Sequence, residues 1–363
     1  MKFSITLTVS ILFLATACSQ HTGQPNAERT VRNLLNQEIS ADSVNAFLET
    51  SMKQFNVQGA SLIIINDGNV VYSRKEGYSN AEQQIKVTDK TIFEGASLSK
   101  PLFAYLVMMD VENGVLDLDR PLYEYLPYED IAYDERYKKI TTRMVLSHTS
   151  GFPNWRSDKK DAKLEINFDP GTSFEYSGEG YQYLAKVLAD IHQTDDQGLE
   201  AIFQERIAKP LKMNFTKYIQ GVDNLNHKAS PYSKGVMIEA EEVTEEFGAA
   251  YSLHTHAEDF SKWVMALLKE ETLSASSYNE LYKPQVVLPE NSVYRQHGVV
   301  NWTLGFAEVH MPFGNLYAHA GNNQGYTSLF ALNREQKWAV VMFTNENQSQ
   351  LPLQLLLYLN TPK

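Results

Sequence analysis

A serine hydroxyl becomes a useful nucleophile only when a base removes its proton. Ser97-Leu98-Ser99-Lys100 places an amine three residues after a hydroxyl, a spacing that puts both on one face of a helix. The spacing alone is weak evidence, because ordinary residue usage gives on the order of one S-x-x-K by chance in a chain of this length. A second copy, Ser157-Asp158-Lys159-Lys160, sits in a charged run (RSDKKDAK) that reads as a solvated loop. Ser97 instead follows Phe93-Glu94-Gly95-Ala96 and opens an apolar stretch. There a helix N-terminus favours negative charge, and burial lowers a lysine's pKa towards that of a working base. The plain alternative for Ser97 is a helix cap.

Other segments could carry chemistry. Pro170 to Tyr181 (PGTSFEYSGEGY) combines turn residues, an aromatic and a helix start, with a loop capped by Ser177 as its plain reading. His319-Ala320-Gly321-Asn322 ends one predicted strand and Gly325-Tyr326 opens the next, which could be a simple hairpin. His254-Thr255-His256-Ala257-Glu258-Asp259 superficially resembles a zinc motif. Its spacing is one residue too long and no further histidine completes it, so Thr255 and Glu258 read better as a T-x-x-E capping box. A Ser-His-Asp hydrolase is also disfavoured. The G-x-S-x-G elbow is absent, and His148 beside Ser150 in S-H-T-S-G reads as a helix-ending turn.

The elements that must position these residues follow from pattern. GASLIII (59–65), the turn Asn66-Asp67-Gly68-Asn69 and Val70-Val71-Tyr72 predict a β-hairpin. The run SLSKPLFAYLVMMDVENG is apolar on more than one face, so a buried helix is expected, with Pro101 in its first turn and Asn113-Gly114 as its stop. Helices are also expected at 141–147, 181–191 and 257–268, and strands at 302–310, 315–319, 326–332 and 337–344. Strands at both ends with helices between predict an α/β chain of α+β type: an antiparallel sheet built from both ends, flanked by helices, with a mostly helical insertion at about 115–240.

The order of these segments resembles a known family, the serine β-lactamase and penicillin-binding superfamily, in its class C, D-alanyl carboxypeptidase and esterase branch. TIFEGASLSK is similar to the segment bearing the family's S-x-x-K, and ENGVLDLDRPLYEYLP to the stretch after that helix. ITTRMVLSHTSGFP resembles a helix and turn of the family's helical region. PGTSFEYSGEGYQYL matches the Y-x-N region, IAKPLKMNFT the P-L-G-M segment, and HAGNNQGYTSLFALN the K-T-G region in an H-x-G variant. The match runs in order from about 45 to 350 and implies a β-lactamase/transpeptidase-like fold. It also implies that Ser97 forms an acyl-enzyme, Lys100 handles its proton, and Tyr176 acts as general acid or base. A phenol normally titrates near 10, so Tyr176 would draw on positive charge at Lys100. His319 replaces the motif lysine, leaving a charge that is missing or pH-dependent. The resemblance puts the oxyanion hole at the backbone N–H groups of Ser97 and Asn322, just after Gly321. No metal or organic cofactor is implied.

Two departures concern substrate choice. Gly178 stands where the family has asparagine, and Ala320 where it has threonine. Those groups serve the substrate amide and the β-lactam carboxylate, so hydrolysis with altered selectivity is expected, with esters ahead of D-amino-acid peptides and β-lactams. Glu179 could replace one lost contact, or be a solvated residue of a helix's first turn. The opposing functional class is a catalytically impaired scaffold or sensor.

The 363 residues suffice for one large domain, at 41–355, and a net charge of -12 disfavours nucleic acid as a partner. The single cysteine, Cys18, rules out an intrachain disulfide. Lys2 followed by the apolar run FSITLTVSILFLATA reads as an export signal over 1–18. Ala15-Thr16-Ala17-Cys18 resembles a lipoprotein cleavage site. That predicts lipidation at Cys18, a tether over 19–40, and a periplasmic protein anchored to the outer membrane, with a small-molecule or peptide acyl substrate.

Overall fold

The segment Gly59–Asn66 (β1) reads GASLIIIN, apolar at both alternations, and a strand of that kind needs cover on both faces. A computed structural model, describing residues 30–156, 163–240 and 245–362, shows that it has such cover. Ala60, Leu62 and Ile64 pack against Val44 and Leu48 of the helix Ala41–Gln54 (α1) and against Leu351 and Leu355 near the C-terminus. Ile63 and Ile65 face the opposite layer, with Phe260, Trp263 and Leu267.

β1 lies deep in a nine-stranded antiparallel sheet. With Asn69–Asn80 (β2), Ile85–Lys86 (β3), Phe93–Ala96 (β4), Leu253–Thr255 (β5), Val286–Val287 (β6), Val299–Trp302 (β7), Ala307–Val309 (β8), Leu316–Asn323 (β9), Tyr326–Asn333 (β10) and Trp338–Thr344 (β11), its order is β6-β7-β8-β9-β10-β11-β1-β2-β3. The two chain ends meet where Val341 pairs with Ile63 and Met342 with Leu62. β4 and β5 form a separate two-stranded pair. The chain between β4 and β5 is mostly helices, short 3-10 turns and irregular segments.

The expected hairpin forms, its second strand continuing to Asn80. The expected strand at 302–310 is instead two strands, β7 and β8, folded back on each other, because Gly305 turns the chain at a φ of 96°. The strand expected to end at residue 319 continues to Asn323, so H-A-G-N lies inside β9. The helix expected from residue 181 starts at Gly178, where the Ser177 hydroxyl accepts the Gly180 N–H. Of the expected tether, residues 30–40 are structured. Thr30–Arg32 pairs with Glu38–Ser40, and Val31, Leu34 and Ile39 are buried. Cys18, the signal segment and Ser157 lie outside the described residues. Among the described residues no helix is long and apolar enough to cross a membrane.

Candidate active site

The nucleophile candidate sits on a forced turn. β4 ends at Ala96, whose φ of 49° is left-handed and uncommon for a residue with a Cβ, so strain sits just before Ser97. The helix Ser99–Glu112 (α2) begins two residues after Ser97, with Leu98 flanking it. Ser97 is thus in the entering turn rather than in the helix, and half-buried. Lys100 is 1% exposed, with Nζ 3.3 Å from Ser97 Oγ and donating to Ala250 O at 2.8 Å. Among the described residues no carboxylate approaches it closely enough to offset its burial, which lowers its pKa from 10.5 to about 7.

Tyr176 is half-buried among aromatic rings: His148 at 4.3 Å between centroids, Trp302 at 5.9 Å, Tyr294 at 6.0 Å and His319 at 5.9 Å. This enclosure raises the phenol well above its ordinary value, opposed by a hydrogen bond with Ser97. Lys100 Nζ lies 4.6 Å from the Tyr176 ring centre. Tyr176, far along the chain from Ser97 and Lys100, therefore shares one site with them. The expected roles left acid or base open for Tyr176, and burial bears on that choice. Lys100 at about 7 is no fixed cation able to hold Tyr176 ionised, so the amine is the better base and the phenol keeps its proton.

His319 does not replace the motif lysine's charge. Burial, with Lys100 adding to it, pulls its pKa down to about 3, so the ring is neutral at ordinary pH. The contact between Nδ1 and Ala320 O at 2.8 Å fits an Nδ1–H donor, which leaves Nε2 as an acceptor 3.5 Å from the Tyr176 hydroxyl.

β9 brings the other half of the site. A Cβ on Gly321 would lie 2.3 Å from Gly95 O and 3.0 Å from Ser97 N, so only glycine lets this strand run so close to the nucleophile's backbone. Gly321 pairs with Ser328, whose hydroxyl donates to Gly95 O at 2.7 Å, fastening β10 to the strand before Ser97. The Asn322 side chain accepts from Thr327 at 3.0 Å, so its contribution to an oxyanion hole would come from its backbone. Buried Glu94 accepts from Asn323 Nδ2 at 2.6 Å and pairs with Lys228 at 2.5 Å. Burial pushes the Glu94 carboxyl up, but His254 and Lys228 outweigh it and hold it near 2. Sequence reasoning gave Glu94 no role, since one glutamate in a strand carries no signature of its partner 229 residues away.

Gly178 also has a spatial reason. Its Cβ would lie 2.7 Å from the Trp155 indole and 2.9 Å from Asn154 O. Trp155, 46% exposed and edge-on to Tyr251 at 5.6 Å, fills the space where a side chain at 178 would start. Glu179 is neither a substitute for the lost asparagine nor a solvated residue. It is buried and accepts from Arg156 N and Nε, each at 2.9 Å, and from Nη2 at 2.8 Å, anchoring the segment that carries Trp155. The proposed T-x-x-E box is also corrected. His256 caps the helix Ala257–Lys269, its Nδ1 accepting the Asp259 N–H at 3.0 Å, while Glu258 pairs with Lys75. Among the described residues no group of three or more His, Cys, Asp or Glu could hold a metal ion.

A family model described as Beta-lactamase matches residues 44–359. The chain belongs to the beta-lactamase family. Members of this superfamily are generally serine hydrolases. Among curated relatives, Protein flp of Staphylococcus aureus (strain MRSA252) is 24% identical over 345 residues, covering 89% of this chain and 66% of that protein. The chain thus spans slightly under two thirds of that relative's length. Penicillin-binding protein 4* of Bacillus subtilis (strain 168) is 22% identical over 331 residues, covering 81% of this chain and 69% of that protein. Solved structures of like fold include a class C beta-lactamase (TM-score 0.75, 18% identity, 88% of this chain and 95% of that one). EstCE1, a hydrolase with promiscuous acyltransferase activity, is similar at a TM-score of 0.73 and 19% identity, over 88% and 98%. A D-alanine carboxypeptidase AmpC from Burkholderia cenocepacia is similar at 0.72 and 18%, over 88% and 99%.

Proposed function

We propose that this beta-lactamase family member is a serine hydrolase that cleaves neutral esters, with D-amino-acid peptides next in preference, through an acyl intermediate on Ser97. The observation that carries this reading is Lys100: a buried amine 3.3 Å from the Ser97 hydroxyl, with a pKa near 7. A scaffold without turnover has no use for a costly buried lysine aimed at a hydroxyl.

In acylation, neutral Lys100 takes the Ser97 proton as Oγ bonds to the substrate's carbonyl carbon. The oxyanion that forms accepts from the N–H groups of Ser97 and Asn322. On collapse the bond to the leaving group breaks, and the Tyr176 hydroxyl, held protonated by its enclosure, donates to the departing oxygen. The proton that Lys100 took is passed on to the Tyr176 oxygen, so the amine and the phenol both return to their starting states. Water then releases the acyl group by the reverse sequence. Selectivity for neutral substrates follows from neutral His319, from Ala320 in place of a hydroxyl, and from the flat apolar face of Trp155 at Gly178.

A fluorophosphonate probe is expected to label the wild type and not Ser97→Ala, and the wild type is expected to hydrolyse short-chain p-nitrophenyl esters faster than a D-alanyl-D-alanine peptide or a chromogenic cephalosporin. Absence of labelling together with no turnover of any of the three would favour the scaffold.

A further inference from the structure

We propose that His148 is a positioning residue that fixes the Tyr176 phenol for proton donation. This rests on the assignment of Tyr176 as the acid of a serine hydrolase.

The backbone on either side of Tyr176 is tied to this one residue. Glu175 N donates to His148 O at 2.9 Å, and Ser177 N donates to His148 Nδ1 at 3.0 Å. The imidazole lies against the Tyr176 ring, with centroids 4.3 Å apart and planes 36° apart, and meets Trp302 edge-on at 5.0 Å. Both neighbours of Tyr176 and its ring are therefore held by one side chain and its carbonyl.

His148 itself is in an unusual state. It follows the short helix Thr142–Leu146 at a left-handed φ of 58°, a conformation that positions its carbonyl and ring together. Its ring is fully buried, and because Nδ1 accepts a backbone N–H, the proton must reside on Nε2. Among the described residues no protein group accepts from Nε2. A histidine in this strained conformation is not needed to end a helix, where asparagine or glycine would serve. Such strain persists when the geometry it enforces is used. His148 does not touch Ser97 through any hydrogen bond, so it acts through Tyr176 rather than as a triad base.

The test uses leaving-group dependence, which loss of general stability would not change. A p-nitrophenolate departs without a proton, whereas an alkoxide needs one. His148→Asn can place an amide oxygen near the Nδ1 position and tolerates the left-handed backbone. His148→Gln carries its amide one carbon further out, away from Ser177 N. On an ethyl ester, His148→Gln and His148→Ala are expected to lower kcat/KM, which reports acylation and not the deacylation shared by all esters, by about 100-fold. On the matching p-nitrophenyl ester they are expected to lower kcat/KM only a few-fold. His148→Asn is expected to recover most of the ethyl-ester rate, and Tyr176→Phe to reproduce the leaving-group pattern of His148→Gln. Equal losses on both esters, or no difference between Asn and Gln, would overturn the positioning role. If His148→Ala does not fold, the Asn and Gln pair decides. Failure of the wild type to turn over either ester, with no labelling at Ser97, would instead remove the hydrolase reading on which the proposal stands.

Discussion

At the residue scale the site turns on a proton balance set by burial. Lys100 falls from 10.5 to about 7 because burial takes its charge out of water, while His319 at about 3 stays neutral. Turnover of a neutral ester is therefore expected to rise with pH through a single inflection near 7, and His319→Gln is expected to keep that inflection; a pH profile of kcat/KM measures both. The same shift affects stability. Between about 7 and 10.5 the unfolded chain holds a proton that the folded chain lacks, so stability rises with pH across that window. Below it the folded state bears the whole cost of a buried ammonium. Lys100→Met is thus expected to abolish activity yet unfold at higher temperature than the wild type at about pH 6, with the difference shrinking towards about pH 9, as calorimetry would show.

At the element scale, the geometry proposed for catalysis depends on how closely β9 approaches the turn after β4. Glycine at 321 allows that approach, Ser328 fastens it, and Glu94 ties Asn323 to the strand leading into Ser97. Gly321→Ala would press a methyl against Gly95 O and Ser97 N, both backbone atoms that cannot swing aside. It is expected to cost about 1–3 kcal/mol of stability and to lower kcat by at least about 100-fold through displacement of the proposed oxyanion donors. Denaturant titration and ester kinetics separate the two effects. The glycine was visible in the sequence as part of H-A-G. The reason for it was not, because Gly95 lies 226 residues earlier and only pairing across the sheet brings the two together.

At the scale of the whole molecule, the sheet joins the two ends of the chain along one seam, β11 against β1. Ile63 sits in that seam, 1% exposed, facing the helical layer that carries α2. Ile63→Ala is expected to cost about 2–5 kcal/mol, and fluorescence and circular dichroism are expected to report one shared unfolding transition, since neither end forms the sheet alone. The same seam explains how a strand at 316–323 comes to face a turn at 97, with a long and largely helical stretch of chain between them.

The residues alone determined the pairing of hydroxyl and amine at 97 and 100, the buried helix that follows, and the sheet made from both ends, because spacing and apolar periodicity are local and survive in one dimension. The order of motifs added the place of Tyr176 in that site. Only tertiary structure decided the protonation roles, because desolvation depends on neighbours that sequence does not identify. Nor could sequence assign Trp155 to the space beside Gly178, Glu179 to Arg156, or His148 to the backbone around Tyr176. Each of those contacts joins segments more than 20 residues apart, and what fixes them is the steric and hydrogen-bonding fit of surfaces that exist only once the chain has folded.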